Sequence, residues 1–212
     1  SIGGCEKYHG AVIDHAGHEN TRVFREVAEL GLELEQLGSE VLGSVGTAQT
    51  AIMFDWENWW AVEYSSGPSV NLKYYEEVLE YYTALHSQNI PVDIGEDSDL
   101  SHYKLVVAPI LYMAKPGVDG RIREFVKNGG TFLTTYFSGY VDENDLVVTG
   151  GYPGKLRDIL GVWVEESDAL PEYKANRFVY QGQEYPAKLL CDIMHLEGAE
   201  ALAEYQEDFY AG

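Results

Sequence analysis

The chain of 212 residues carries 35 acidic against 14 basic side chains, a formal charge of -21. Such a field repels phosphate backbones and anionic lipid, which argues against nucleic acid as a partner. No apolar run approaches the roughly 20 residues of a membrane span. Apolar residues make up 45% of the chain, enough for one full domain, or one domain with an appendage. Two cysteines, Cys5 and Cys191, are too few for a disulfide framework or a zinc cage, and reduced thiols in a cytoplasmic protein are expected. No basic-then-apolar leader opens the chain. Ser1 stands where an initiator Met would, so a cut from a longer protein is expected. Sixteen Tyr and four Trp are many for this length. Packing in cores and subunit interfaces is the ordinary cause, and stacking on sugar rings is the sharper one.

Taken in chain order, Thr21–Leu37 is predicted helical. Val23, Val27, Leu30, Leu34 and Leu37 form one apolar stripe, with Asn20 as N-cap and Gly38 as C-cap. The Gly- and Ser-containing stretch 39–49 is expected to be a linker. Ala51–Phe54 is a continuous apolar run, as in a strand covered on both faces. Leu72, Tyr75, Leu79, Tyr82 and Leu85 trace a helix face. Ile90–Ile94 is a second strand, placed at an edge by Pro91. Leu105–Pro109 is a third, Val118–Asn128 a helix stopped by Gly129-Gly130, and Thr131–Tyr136 a fourth strand. The alternation predicts an α/β fold, a parallel sheet with helices on both faces. Beyond about Gly150, Lys155–Leu160 is predicted as a short helix. Val162–Glu166, Arg177–Tyr180, Lys188–Asp192 and Ala199–Tyr205 are predicted as antiparallel strands extending the same sheet.

In doubly wound sheets ligands sit outside the carboxyl ends of the strands. Two loops are expected there, 55–60 after the first strand and 137–145 after the fourth. Trp56, Asn58, Trp59, Trp60, Phe137 and Tyr140 are their candidates for contact with a sugar or another subunit. Loops that merely pack their own aromatics under the sheet are the plainer alternative. Asp55, Glu57, Asp142, Glu143 and Asp145 could in number supply the two carboxyl groups a glycosidase needs. Among 35 acids such pairs arise by chance, so none is assigned a catalytic role. His15 and His18 have H-x-x-H spacing without the glutamate of a zinc-protease helix, and Gly17 breaks the helix. No metal site and no cofactor is expected. Residues 150–156 lack the Ser or Thr and the spacing of a phosphate loop. No G-x-S-x-G elbow occurs, and no cysteine follows the fourth strand. Cys191 is expected to be buried.

Several stretches, in order along nearly the whole chain, resemble the family 42 glycoside hydrolases, β-galactosidases. They are Cys5-Glu6-Lys7-Tyr8-His9-Gly10-Ala11-Val12, residues 21–27, Phe54-Asp55-Trp56-Glu57-Asn58-Trp59-Trp60, residues 103–109, Gly129-Gly130-Thr131-Phe132, Tyr136-Phe137-Ser138-Gly139 and residues 141–147. The resemblance implies a (β/α)8 catalytic barrel followed by a three-layer, amidotransferase-like (flavodoxin-like) trimerisation domain and a small β domain. Residues 1–38 would be the last barrel loop and helix, 39–49 a linker, and 50–212 the trimerisation domain, with the C-terminal end also cut short. Glu6 and His9 match the motif that hydrogen-bonds galactose hydroxyls in relatives, with Tyr8 where Phe is common. Both catalytic glutamates would lie upstream, so the resemblance implies a retaining β-galactosidase whose accessory part, inactive alone, is present here. It also implies a homotrimeric parent acting on β-galactosides. The apolar stripe of the first helix is expected to pack on the α/β domain or on a neighbouring copy. The alternative to an enzyme part is a free-standing sugar- or protein-binding α/β module.

Overall fold

The computed structural model describes residues 10, 12–15, 17–95 and 99–212. Glu6, His9 and Cys5 lie outside the described residues. The chain divides into two compact units, Ser1–Gly46 and Thr47–Gly212.

The first unit is dominated by helix α1, Arg22–Val41. Its N-cap is Thr21, one residue beyond the expected Asn20, because the Thr21 hydroxyl accepts from the Phe24 amide at 3.1 Å. Gly38 does not end the helix. Ser39-Glu40-Val41 continue it, and Gly43, with φ of 82°, supplies the left-handed position beyond its end. Arg22 and Glu26 pair one turn apart at 2.6 Å. No residue of α1 is buried, and Val27 and Leu34 are 43% and 58% exposed. The apolar stripe of Val23, Val27, Leu30, Leu34 and Leu37 is exposed along its length. Gly31 sits inside this helix with nothing within 4 Å of an added Cβ. Gly31→Ala is expected to stabilise α1 by about 0.8–1 kcal/mol, the glycine penalty of an exposed helix interior. Slower amide exchange in residues 26–38, with unchanged melting of the second unit, would report it. No change in exchange would refute it.

The second unit is built on β1 (Thr50–Met53), β2 (Val92–Gly95), β3 (Leu105–Ala108) and β4 (Thr131–Thr134). All neighbours are parallel, in the order β2-β1-β3-β4. β1 is central and wholly buried, which is why its sequence is apolar at every position rather than alternating. β2 lies at an edge, as Pro91 predicts. Successive side chains point to opposite faces. Ile52 and Val107 join one core with helices α2 (Trp56–Tyr64) and α3 (Tyr74–Ser87). Ala51, Met53, Val106 and Ala108 join another with α4 (Val118–Lys127) through Ile122 and Phe125. The result is helix, sheet and helix in three layers.

After β4 the chain does not extend this sheet, contrary to the sequence expectation. Phe137 and Gly139 take φ of 59° and 71°, and a bridge from Val141 to Met113 carries the chain across the strand ends instead of alongside β4. A 3-10 turn (Gly154–Leu156) and a short helix, α5 (Arg157–Leu160), follow. Next come β5 (Val162–Ala169), β6 (Asn176–Tyr180), β7 (Gln183–Ala187) and β8 (Leu190–Leu196). They are antiparallel, as expected, but form two separate sheets, β5-β8 and β6-β7. The expected strand 199–205 is reduced to a single bridge, Tyr205 to Phe178. β7 is unforeseen because Gln183-Glu184-Tyr185-Pro186-Ala187 is polar and holds a proline. Gln181 and Gly182, both with positive φ, fix the two-residue turn that pairs it with β6.

Candidate functional site

The carboxyl ends of β1, β3 and β4 meet the two segments singled out from sequence. The first is not a loop. Asp55 closes β1 and caps α2, its Oδ1 accepting from the amides of Glu57 at 2.8 Å and Asn58 at 3.4 Å. Trp56 to Trp60 therefore form the first turns of a helix. Asp55 Oδ2 also meets Lys115 Nζ at 2.6 Å, and Glu57 meets the same ammonium at 2.7 Å. Asp55 is thus committed to a cap and an ion pair. Asp142 is committed as well, its Oδ1 accepting from the Asn144 and Leu146 amides within its own turn. Neither is arranged as an acid or base for hydrolysis.

The helical placement sorts the candidate residues. Asn58 points inward and is 1% exposed. Its Nδ2 donates to the Ile110 carbonyl at 2.9 Å and its Oδ1 accepts from the Met113 amide at 2.7 Å. Trp59 is half-buried, stacks on Tyr75, and donates its indole N–H to Glu63 at 2.7 Å. Trp56 and Trp60 face outward, 57% and 53% exposed, joined to Phe54 and Trp59 in one aromatic cluster. In the second segment Phe137 is buried, and Tyr140 stacks on Tyr152 at 3.8 Å with its hydroxyl against Ser167 at 2.7 Å. Burial pushes the Tyr140 phenol up to about 12. Of the six candidates, Trp56 and Trp60 are the two that present large surfaces outward.

Sequence reasoning missed the turn between them. The strained turn follows β3, at Pro109-Ile110-Leu111, where Ile110 has φ of 43° while fully buried. A β-branched residue in the left-handed region is costly and persists only where its surroundings hold it. Here the Ile110 amide donates to the Thr135 hydroxyl at 2.8 Å, the Leu111 amide donates to the Ser138 hydroxyl at 3.1 Å, and Asn58 holds the carbonyl. The side chain at the apex is apolar, so this turn offers no nucleophile. A β-branched residue after a proline carries no signal of positive φ, which is why it was not foreseen.

Beside β4 lies a cleft of about 400 Å³ between the main sheet and the β5–β8 ribbon. Asp192 of β8 lines it and is 6% exposed. Its Oδ1 accepts from the Ser167 hydroxyl at 2.5 Å and its Oδ2 from the Phe137 amide at 3.3 Å. Burial raises the proton affinity of Asp192, and these two donors oppose the shift. The folded state then binds the proton more tightly than the unfolded chain. Stability is fullest below the ordinary carboxyl range near ~4 and falls as pH rises through the folded value. Asp192→Asn can keep both contacts by donating to Ser167. Its stability is expected to fall less steeply above about pH 4 than that of the parent. Parallel stability–pH curves in urea titrations would contradict this. Cys191, next along β8, is fully buried, and burial raises its thiol, which makes it inert. His18 lies 3.5 Å from Asp14, and among the described residues no group of three metal-ligating side chains gathers. None of the described helices is long and apolar enough to cross a membrane.

Comparison with known proteins decides the family. Residues 48–212 match the family model described as the β-galactosidase trimerisation domain, and residues 1–37 match the β-galactosidase family model. The chain belongs to the β-galactosidase trimerisation-domain family. The trimerisation domain with its leading segment is 56% identical to β-galactosidase BgaA of Planococcus sp. (strain 'SOS Orange'), covering 100% of this chain and 32% of that protein. It is 50% identical to β-galactosidase Pbg of Clostridium perfringens, with the same shares covered. Among solved structures it resembles β-galactosidase from Bacillus circulans sp. alkalophilus, with a TM-score of 0.90 and 55% identity over 100% of this chain and 32% of that one. The chain thus spans about a third of the length of the relatives it matches. The trimerisation-domain match runs from β1 to the last residue, so both aromatic segments and the cleft lie within it.

Proposed function

We propose that this chain is the accessory and assembly part of a retaining β-galactosidase and does not hydrolyse galactosides by itself. The observation that carries this reading is the trimerisation-domain match over residues 48–212, in a chain spanning a third of relatives named β-galactosidases. Residues 1–38 would close the catalytic barrel, 39–49 would link, and 50–212 would form the trimerisation domain. The strand order β2-β1-β3-β4 supports a flavodoxin-like, amidotransferase-like classification. The apolar apex at Ile110 fits a sheet of that type without its nucleophile. In the parent, two glutamates outside this chain would form and release a covalent galactosyl-enzyme. Glu6 and His9 would hydrogen-bond galactose hydroxyls beside them. A cytoplasmic homotrimer is the assembly proposed, with Trp56 and Trp60 as its aromatic anchors. Exposed tryptophans on a rigid helix are the residue type that dominates interface energies. The same pair also suits the second reading, a sugar- or protein-binding module.

Sedimentation of the chain at several concentrations tests the assembly, with a nitrophenyl β-galactoside assay on the same samples. A trimer that weakens in Trp56→Ser/Trp60→Ser, without turnover, is the expected result. A monomer at every concentration would remove assembly from this domain, and turnover by the chain would remove the accessory reading altogether.

A further inference from the structure

The cleft beside β4 lies apart from the aromatic face of α2, and the hydroxyls of its Thr135 and Ser138 are taken by the strained turn after β3. Its volume of about 400 Å³ lies within the ~300–1,000 Å³ typical of small-molecule sites. Leu190 and Met194 contribute an apolar wall, and Tyr81, Tyr136 and Tyr205 contribute aromatic surface. The charged group among the lining residues is Asp192, and none of them is Lys, Arg or His. A carboxylate oxygen accepts about two hydrogen bonds. Ser167 and the Phe137 amide take one on each, which leaves an acceptor position on both oxygens. A buried carboxylate without a countercharge is costly. A ligand bringing positive charge and N–H donors would relieve that cost, whereas a neutral polyol would leave the charge uncompensated. Tyrosine faces attract alkylammonium groups. The overall charge of -21 concentrates cations at the surface and repels anions.

The geometry points to this cleft as a binding site for a small organic ammonium ion, held by the Asp192 carboxylate against the tyrosine and apolar walls. The ammonium N–H groups occupy the open acceptor positions, and its carbon chain lies along Leu190 and Met194. Nothing in this depends on galactoside hydrolysis or on trimer assembly.

The test is a titration of the 212-residue chain, carrying 13C-carboxyl aspartate, with butylammonium chloride at neutral pH. Sodium chloride at equal ionic strength and butanol at equal concentration are the controls. The expected result is a saturable shift of the Asp192 carboxyl resonance with butylammonium and with neither control. Asp192→Asn lacks that resonance, and by calorimetry it should bind about tenfold more weakly than the parent, the loss of one charge-assisted hydrogen bond. Met194→Trp, which fills the cleft and keeps the carboxylate, should abolish binding. An equal shift with sodium would reduce the effect to screening, and an equal shift with butanol would reduce it to an apolar hollow. Either result, or no saturable shift, overturns the proposal without recourse to the variants.

Discussion

Asn58→Leu is expected to lower the melting temperature of the α/β unit by roughly 5–15 °C. The substitution keeps the branched shape but leaves the buried Met113 amide without its acceptor and takes from the Ile110 carbonyl one of its two donors, the Tyr112 amide at 2.7 Å being the other. The unpaired amide costs about 1–3 kcal/mol and the lost hydrogen bond to the carbonyl about 0.5–1.5 kcal/mol, and a domain of this size melts about 2–4 °C lower per kcal/mol. The cost has a further source. Ile110 sits at a φ of 43°, and Asn58 is one of the groups that hold it there. When the amide is lost, the turn can relax toward an ordinary conformation, and the register of the loop 110–114 over the strand ends would relax with it. Amide exchange at Met113 should therefore accelerate more than exchange in β1. A melting change below about 2 °C would mean that water or backbone movement replaces the amide.

Gly139→Ala is expected to destabilise the same unit by at least about 3 kcal/mol, from a left-handed backbone penalty of ~1–2 kcal/mol plus a clash. An added Cβ would lie 2.1 Å from the Pro153 carbonyl oxygen and 2.6 Å from its carbon, and Gly139 has φ of 71°. The obstacle is backbone, which cannot rotate aside as a side chain would. The contact is mutual, because a Cβ on Gly154 would lie 2.9 Å from the Gly139 oxygen. The segment after β4 and the turn before α5 thus cross at main-chain contact distance, and only glycine permits it. The two single alanine variants should each lower the urea midpoint, and the double variant should fall short of their sum because they break one contact. Gly182→Ala is the control. It has φ of 80° but nothing within 4 Å, so about 1 kcal/mol of backbone strain is its whole expected cost. Equal losses at Gly139 and Gly182 would show that conformation alone, not the crossing, sets the effect.

The same contrast between local and long-range causes runs through the fold. The helix ended by Gly129-Gly130, the apolar run of β1 and the proline at the entry of β2 are properties of short windows, and the structure places them as those windows predict. Asp55 followed by Glu57 and Asn58 is also a local helix-start signal, obscured by the aromatic residues around it. Asn58 could not be sorted from Trp56 and Trp60 without knowing that 55–64 is a helix. Period then puts Asn58 inside and the two tryptophans outside.

By itself the sequence determined the parallel α/β core, the edge position of β2, the buried Cys191 and the β-galactosidase kinship, because hydrophobic period, turn residues and shared motifs are written in neighbouring positions. Only the tertiary structure decided the rest: the separate sheets β5-β8 and β6-β7, the strained Ile110 turn, the main-chain crossing at Gly139, and the buried acid at Asp192. Each of these is a pairing between residues far apart in the chain. The energy of such a pairing belongs to both partners at once, so neither local sequence carries its mark.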